Sequence, residues 1–268
     1  MIKDQIILLL HGANSVGNEW ANFENEFKKL GNKVVKPILR HHRLGSNGSE
    51  ELGNTSIFDY VADIEETIKK LKQKPIIIGH SMGGLIALIL CSRGYGKLGI
   101  FITPAAPKGI NAITFSVLKI FFRNLFRWKF WSKPIPPNFP SAFYGVFHDF
   151  DRKRALNIFN RSCSAESGRA LCEIGFPYFF SPSPTDINAE GIKCPTLIIG
   201  AGRDRITPIQ ISKKLKKKLG ERSELIIFQN FSHYIMEGKE FSTIFQYILK
   251  WIKKNKIYLY KKSCLYIL

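Results

Sequence analysis

Several short stretches of this chain are apolar with no polar residue at alternate positions: Ile6–Leu10, Ile76–Ile78 and most of Leu98–Thr103 and Pro195–Ala201. A run without alternation predicts a strand buried on both faces, the signature of a parallel sheet. Shorter strands are expected at Lys33–Val35 and Glu224–Phe228. Between them the apolar spacing changes to three and four. Trp20, Phe23, Phe27 and Leu30 predict a helix over 18–30, and Ile57, Val61, Ile64, Ile68 and Leu71 predict another over 57–71. Further helices are expected over 82–93, 208–219 and 241–254, and the polar, glycine-bearing stretch 40–56 reads as loop. Strands alternating with helices imply right-handed βαβ crossovers and a sheet covered on both sides.

One segment breaks this rhythm. Residues 105–190 show no regular alternation and carry two proline clusters, Pro134, Pro136, Pro137 and Pro140, then Pro182 and Pro184. They read as a mostly helical insertion on the sheet. The expected organisation is a core formed by 1–104 and 191–256, a cap at 105–190 and a tail at 257–268.

At 268 residues with 45% hydrophobic content, the chain holds enough apolar material for one sizeable core. Lysine and arginine total 40 against 21 acidic residues, a net charge of +19. Such an excess invites an anionic partner, but a lysine-rich composition puts lysines on any surface. The basic run Lys213–Lys218 reads as a solvated helix face. Five cysteines without CxxC spacing point away from a disulfide framework and towards a reducing, cytoplasmic setting. No run is long enough to predict a transmembrane helix.

The chemistry concentrates at Gly79-His80-Ser81-Met82-Gly83, a GxSxG motif. It sits directly after an expected strand and before an expected helix. There a sharp turn would lift the Ser81 hydroxyl above the N-terminus of that helix, whose free N–H groups favour a developing oxyanion. A serine hydroxyl also needs a base to take its proton. Of the six histidines, His11 belongs to a His-Gly turn, His41 and His42 to a polar loop, and His148 to the insertion. His80 is expected to point away from Ser81, because neighbours diverge. His233 follows the last expected strand, where open α/β sheets build their sites. Asp204 follows the strand before it and could orient the imidazole, with Asp186 as a second choice.

These marks resemble the α/β-hydrolase family over nearly the whole chain, from Ile6 to about Trp251. They stand in the family's order: His11-Gly12, the Gly79–Gly83 elbow, Asp204, then His233. Ser232 is a small departure, since glycine more often precedes this histidine. The resemblance implies an α/β-hydrolase fold, a mostly parallel twisted sheet with helices on both faces and a helical cap. It implies Ser81 as nucleophile, His233 as base and Asp204 as acid, with the backbone N–H groups of Ala13 and Met82 as the oxyanion hole. Asn14 could add a side-chain donor there.

The expected reaction is hydrolysis of a carboxylic ester with a medium or long acyl chain, of the monoacylglycerol or lysophospholipid kind. No metal or cofactor is expected. Cofactor-free lyases and perhydrolases use the same three residues, and a binding protein could keep the scaffold without the chemistry. The stretch Leu118–Trp131 interleaves aromatic and basic residues. It suits a lid helix on the core, a wall of an acyl pocket, or peripheral contact with an anionic membrane. No nucleic-acid partner is expected. Glu166-Ser167-Gly168-Arg169 could offer an arginine to an anionic substrate group, although a surface ion pair suits it better. The sequence leaves substrate-binding residues and oligomeric state open.

Overall fold

The computed structural model describes residues 2–125 and 127–265, with side chains described through 122 and over 127–255. In chain order the elements are β1 (Ile6–Leu10), α1 (Ala21–Lys29), β2 (Lys33–Val35), α2 (Glu50–Asn54), α3 (Ile57–Lys69), β3 (Ile76–His80), α4 (Met82–Ser92) and β4 (Leu98–Ile102). Then follow α5 (Phe115–Leu125), β5 (Pro134–Ile135), α6 (Phe139–Gly145), α7 (Arg152–Ser162), β6 (Glu166–Ser167) and α8 (Gly168–Gly175). The last elements are β7 (Thr196–Ala201), α9 (Ile209–Leu219), β8 (Ser223–Phe228) and α10 (Gly238–Leu265).

Six strands form one sheet in the order β2-β1-β3-β4-β7-β8, every neighbouring pair parallel. The unbroken apolar runs have a direct cause. Leu8 and Leu10 of β1, Ile77 of β3, Phe101 of β4 and Ile198 of β7 face one core, which they share with α3, α4 and α9. Their neighbours Ile7, Leu9, Ile76, Ile78, Ile100 and Ile199 face a second core, with Trp20, Phe23 and Phe27 from the first helical stretch and Ile244, Phe245 and Ile248 of α10. Each strand residue therefore buries its side chain on one face or the other, a gain of about 1.5–3 kcal/mol for each large one. Trp20 is core, packed edge to face on Phe23 at 5.0 Å.

Strand order reverses between β1 and β3, the place where open α/β sheets form a crevice at their carboxyl ends. The segment between β4 and β7 adds no strand to this sheet. It contributes helices α5 to α8 and a small antiparallel ladder of β5 with β6. It is stitched to the loop after β1: the Val16 N–H donates to the Ser162 carbonyl and the Ser164 N–H to the Asn14 carbonyl, each at 3.0 Å.

Two local readings change. The stretch 40–56 contains a short helix, α2, whose first turn is capped by the Ser49 hydroxyl accepting the Leu52 N–H at 3.3 Å. The last helix starts at Gly238 and continues to Leu265 without a break at Ile257. The tail side chains lie outside the described residues, as do Phe126 and the side chains of 123–125 in the aromatic stretch. Among the described residues no helix is long and apolar enough to cross a membrane.

Candidate active site

Ser81 sits at the junction of β3 and α4 with φ 55° and ψ −120°, a backbone conformation that a non-glycine residue adopts only where its surroundings hold it there. They do. The Ser81 N–H donates to the Ile102 carbonyl at 3.0 Å, and its own carbonyl accepts the Ala105 N–H at 2.9 Å and the Gly84 N–H at 2.9 Å. The motif's glycines are a matter of space. A Cβ on Gly79 would lie 2.0 Å from the Gly83 carbonyl oxygen, and one on Gly83 would lie 2.2 Å from the Leu10 carbonyl oxygen. The turn after β1 also comes near, because a Cβ on Gly12 would stand 3.0 Å from Ser81 Cβ. Ala13 and Met82 both line the pocket that opens from Ser81.

Asp204 and His233 meet across the ends of β7 and β8. His233 Nδ1 lies 2.7 Å from Asp204 Oδ2, both residues buried. The Ile206 and Thr207 N–H groups donate to Asp204 Oδ1 at 2.7 and 2.8 Å, and the Thr207 hydroxyl donates to Oδ2 at 2.8 Å. Burial by itself would raise the Asp204 pKa. The charge and hydrogen bond of His233 and the donors of Thr207 outweigh it and hold the carboxyl below its usual range. The carboxylate is thus ionised, fully engaged and fixed on Nδ1, which leaves Nε2 for the pocket that His233 shares with Ser81. Asp186, the second choice of acid, is exposed and accepts the Ile187 N–H at 2.9 Å.

His80 packs beside His233. Its ring lies 4.7 Å from the His233 ring, and its Nε2 is 3.0 Å from the His233 carbonyl. A carbonyl only accepts, so Nε2 carries the proton and His80 is a neutral support for the backbone of His233. Burial, reinforced by the neighbouring His233, lowers its pKa to about 3. His11 is likewise neutral. Its Nδ1–H donates to the Gly12 carbonyl at 2.9 Å, its Nε2 accepts the Leu39 N–H at 3.0 Å, and burial lowers its pKa to about 4.

Asn14 does not point a donor at the oxyanion. Its side-chain amide donates to the Ile135 and Ser164 carbonyls at 3.2 and 3.0 Å. Its backbone N–H donates to Glu166 Oε2 at 3.1 Å. Glu166, absent from any sequence-based role, is the centre of a buried cluster. It accepts the Tyr60 hydroxyl at 2.8 Å, the Ser167 N–H at 2.7 Å and His42 Nε2–H at 3.1 Å. His42 Nδ1 faces the Leu39 and Arg40 carbonyls, so both ring nitrogens must carry protons. Burial opposes charge on either partner. The pairing prevails, raising the His42 pKa and lowering that of Glu166. A buried ion pair thereby ties the cap to the turn that carries Ala13. Arg169 from the same stretch pairs with Glu173 at 2.7 Å.

Two pockets open from Ser81 and share Ala13, Phe121, Ile135 and Ile206 in their walls. They measure about 1010 and 990 Å³ out to their open mouths. One runs past Met82 to Ala105, Val117, Leu171, Phe176 and Ile211 and is almost wholly apolar. The other contains His233 and reaches Ser15, Glu19 and Ser162. The helix α5 supplies walls to both.

The fold recurs in known proteins. The sequence matches no curated protein. Among solved structures, a methylesterase from Arabidopsis superposes with a TM-score of 0.68 at 14% identity, covering 93% of this chain and 99% of that one. A monoacylglycerol lipase of Paleococcus ferrophilus gives 0.67 at 18% identity, over 94% and 96%. A carboxylesterase structure from Nitrososphaera gargenis gives 0.66 at 19% identity, over 94% and 92%. At such identities the likeness is one of fold. The sequence pattern of the alpha/beta hydrolase family matches residues 7–237, and with the fold and the order of its site residues in place, the chain belongs to the alpha/beta hydrolase family.

Proposed function

We propose that this protein is a serine hydrolase that cleaves carboxylic esters of medium or long acyl chain, monoacylglycerol- or lysophospholipid-like, through an acyl-enzyme on Ser81. The observation that carries the reading is the Asp204–His233 pair opening onto the same pocket as Ser81, with an apolar pocket beside it. Ser81 Oγ attacks the ester carbonyl while His233 Nε2 takes its proton. The Ala13 and Met82 N–H groups receive the oxyanion, and Asp204 steadies the imidazolium. His233 then returns the proton to the departing alcohol, and water attacks the acyl-enzyme by the same route in reverse.

The exposed side of the cap supports contact with anionic lipid. Phe115, Trp128 and Phe179 are 82%, 76% and 84% exposed, and Arg127 and Lys129 flank the tryptophan. Free thiols at Cys91, Cys163, Cys172 and Cys194 suit a cytoplasmic setting.

A series of nitrophenyl esters from two to sixteen carbons, with Ser81→Ala and His233→Ala beside the parent, tests the reading. The expected result is a chain-length optimum at eight carbons or more and loss of turnover in both variants. Labelling of Ser81 without ester turnover would transfer the site to lyase or perhydrolase chemistry. Absence of both would leave a binding protein.

A further inference from the structure

The two pockets differ in chemistry, and the direction of proton transfer says which part of an ester each would take. The group that leaves is protonated by His233, so the alcohol lies on the His233 side of Ser81. The acyl chain is left with the pocket past Met82, which is almost wholly apolar. The alcohol pocket is not apolar throughout. Three buried polar side chains, Ser15, Glu19 and Ser162, gather in its wall.

One of the three lacks a hydrogen-bond partner. The Ser15 hydroxyl accepts the Gly17 N–H at 2.9 Å and donates to Glu19 Oε2 at 2.5 Å. The Glu19 carboxyl also takes hydrogen bonds from the backbone of Glu19 itself and of Gly17. Ser162 lines this pocket, and its buried hydroxyl has no hydrogen-bond partner among the described residues. Its backbone is held in place, because its carbonyl accepts the Val16 N–H at 3.0 Å. A buried hydroxyl without a partner is costly, and a ligand hydroxyl that reached it would relieve that cost. Burial also pushes the Glu19 carboxyl up from its ordinary value.

We infer that the alcohol released by this enzyme carries a free hydroxyl, bound by Ser162 Oγ and by the Glu19 carboxyl that Ser15 holds, so that the substrate is a polyol monoester of the acylglycerol type. The inference rests on the ester hydrolase reading above. It separates this substrate from esters of plain alkanols with the same acyl chain, which offer the cluster nothing to bind.

The test compares 1-octanoylglycerol with propyl octanoate. The two share the acyl chain and a three-carbon primary alcohol and differ only in the two hydroxyls. The parent is expected to favour the glyceryl ester in kcat/KM by about tenfold or more, the scale of one or two net hydrogen bonds. Ser162→Ala removes a single oxygen and should cut that preference by about fivefold. Glu19→Ala, a second route to the same loss, should cut it as well, with circular dichroism and fluorophosphonate labelling of Ser81 reporting that each variant is folded. A parent preference near one, or a preference unchanged in Ser162→Ala, would overturn the inference while leaving the hydrolase reading standing. Failure to hydrolyse either ester, with Ser81 unlabelled, would overturn the hydrolase reading itself.

Discussion

Replacing Glu166 with alanine would remove the carboxylate that joins the cap to the turn after β1. Its two oxygens accept from four donors: Asn14 N–H and His42 Nε2–H on Oε2, Tyr60 Oη–H and Ser167 N–H on Oε1, at 2.7–3.1 Å. Both members of the ion pair are fully buried. Each orphaned donor costs about 1–3 kcal/mol, so four would cost about 4–12 kcal/mol. Water entering the vacated volume, and release of the penalty for burying a charge, return part of that. Breaking a buried pair from one side typically costs about 3–5 kcal/mol, which we take as the expected loss. At about 2–4 °C per kcal/mol for a chain of this size, the melting temperature should fall by about 6–20 °C. Glu166→Gln keeps the volume and two acceptor positions but turns an NH₂ towards two donors, so it should fall between parent and alanine. Thermal melts by circular dichroism for the three proteins provide the assay. A Glu166→Ala melting temperature within about 2 °C of the parent would refute the reasoning, because no buried four-donor carboxylate can be removed so cheaply.

Asp204→Asn should leave the fold intact and lower kcat on a nitrophenyl ester by about 10⁴, since an amide stabilises the wrong imidazole tautomer and no imidazolium; steady-state kinetics with KM changed less than threefold would fit. His11 and His80 have pKa values lowered to about 4 and about 3, so the folded state refuses protons that the unfolded chain takes up below about 6.5. Their stability is present at neutral pH and drains away as pH falls from about 6.5 towards 4, by about 2 kcal/mol each at pH 5. Glu19 and His42, whose pKa values are raised, pull the other way. Urea midpoints at pH 7.5 and 5 should therefore show an acid-side loss that His80→Gln roughly halves; an equal loss in that variant would contradict the assignment. Cosedimentation should retain the protein on anionic vesicles at low salt and release it as salt screens the charge, with Trp128→Ala weakening the retention; equal retention on neutral vesicles would speak against the charged contact.

Much of this architecture can be read from the chain, for a physical reason that differs between elements. The central strands are legible because a sheet buried on both faces demands runs such as Ile76–Ile78, and few other structures do. The elbow is legible because its glycines answer contacts of about 2 Å within a few residues of Ser81. Asp204 and His233 are legible by their place after the ends of β7 and β8. The rest depends on contacts far apart in sequence. Glu166 lies 152 residues from Asn14 and 124 from His42, and no local pattern foretells that they meet. His80 is adjacent to Ser81, yet its position is set by the carbonyl of His233, 153 residues away. Helix α2 is only five residues long and makes a weak periodic signal, so its polar and glycine-bearing sequence looks like loop. The cap obeys its prolines and aromatics more than any period, which hides Ser162 among the residues that line the pocket.

The proposed hydrolysis stands on Ser81 acting as a nucleophile activated by His233. The most direct measurement is the rate and site of covalent modification by a fluorophosphonate, read by intact-protein and peptide mass spectrometry. That assignment predicts one adduct per chain, located on Ser81, absent in Ser81→Ala and formed at least a hundredfold more slowly in His233→Ala, the lower end of what a positioned base contributes. An adduct on another residue, or ester turnover that survives in Ser81→Ala, would contradict it.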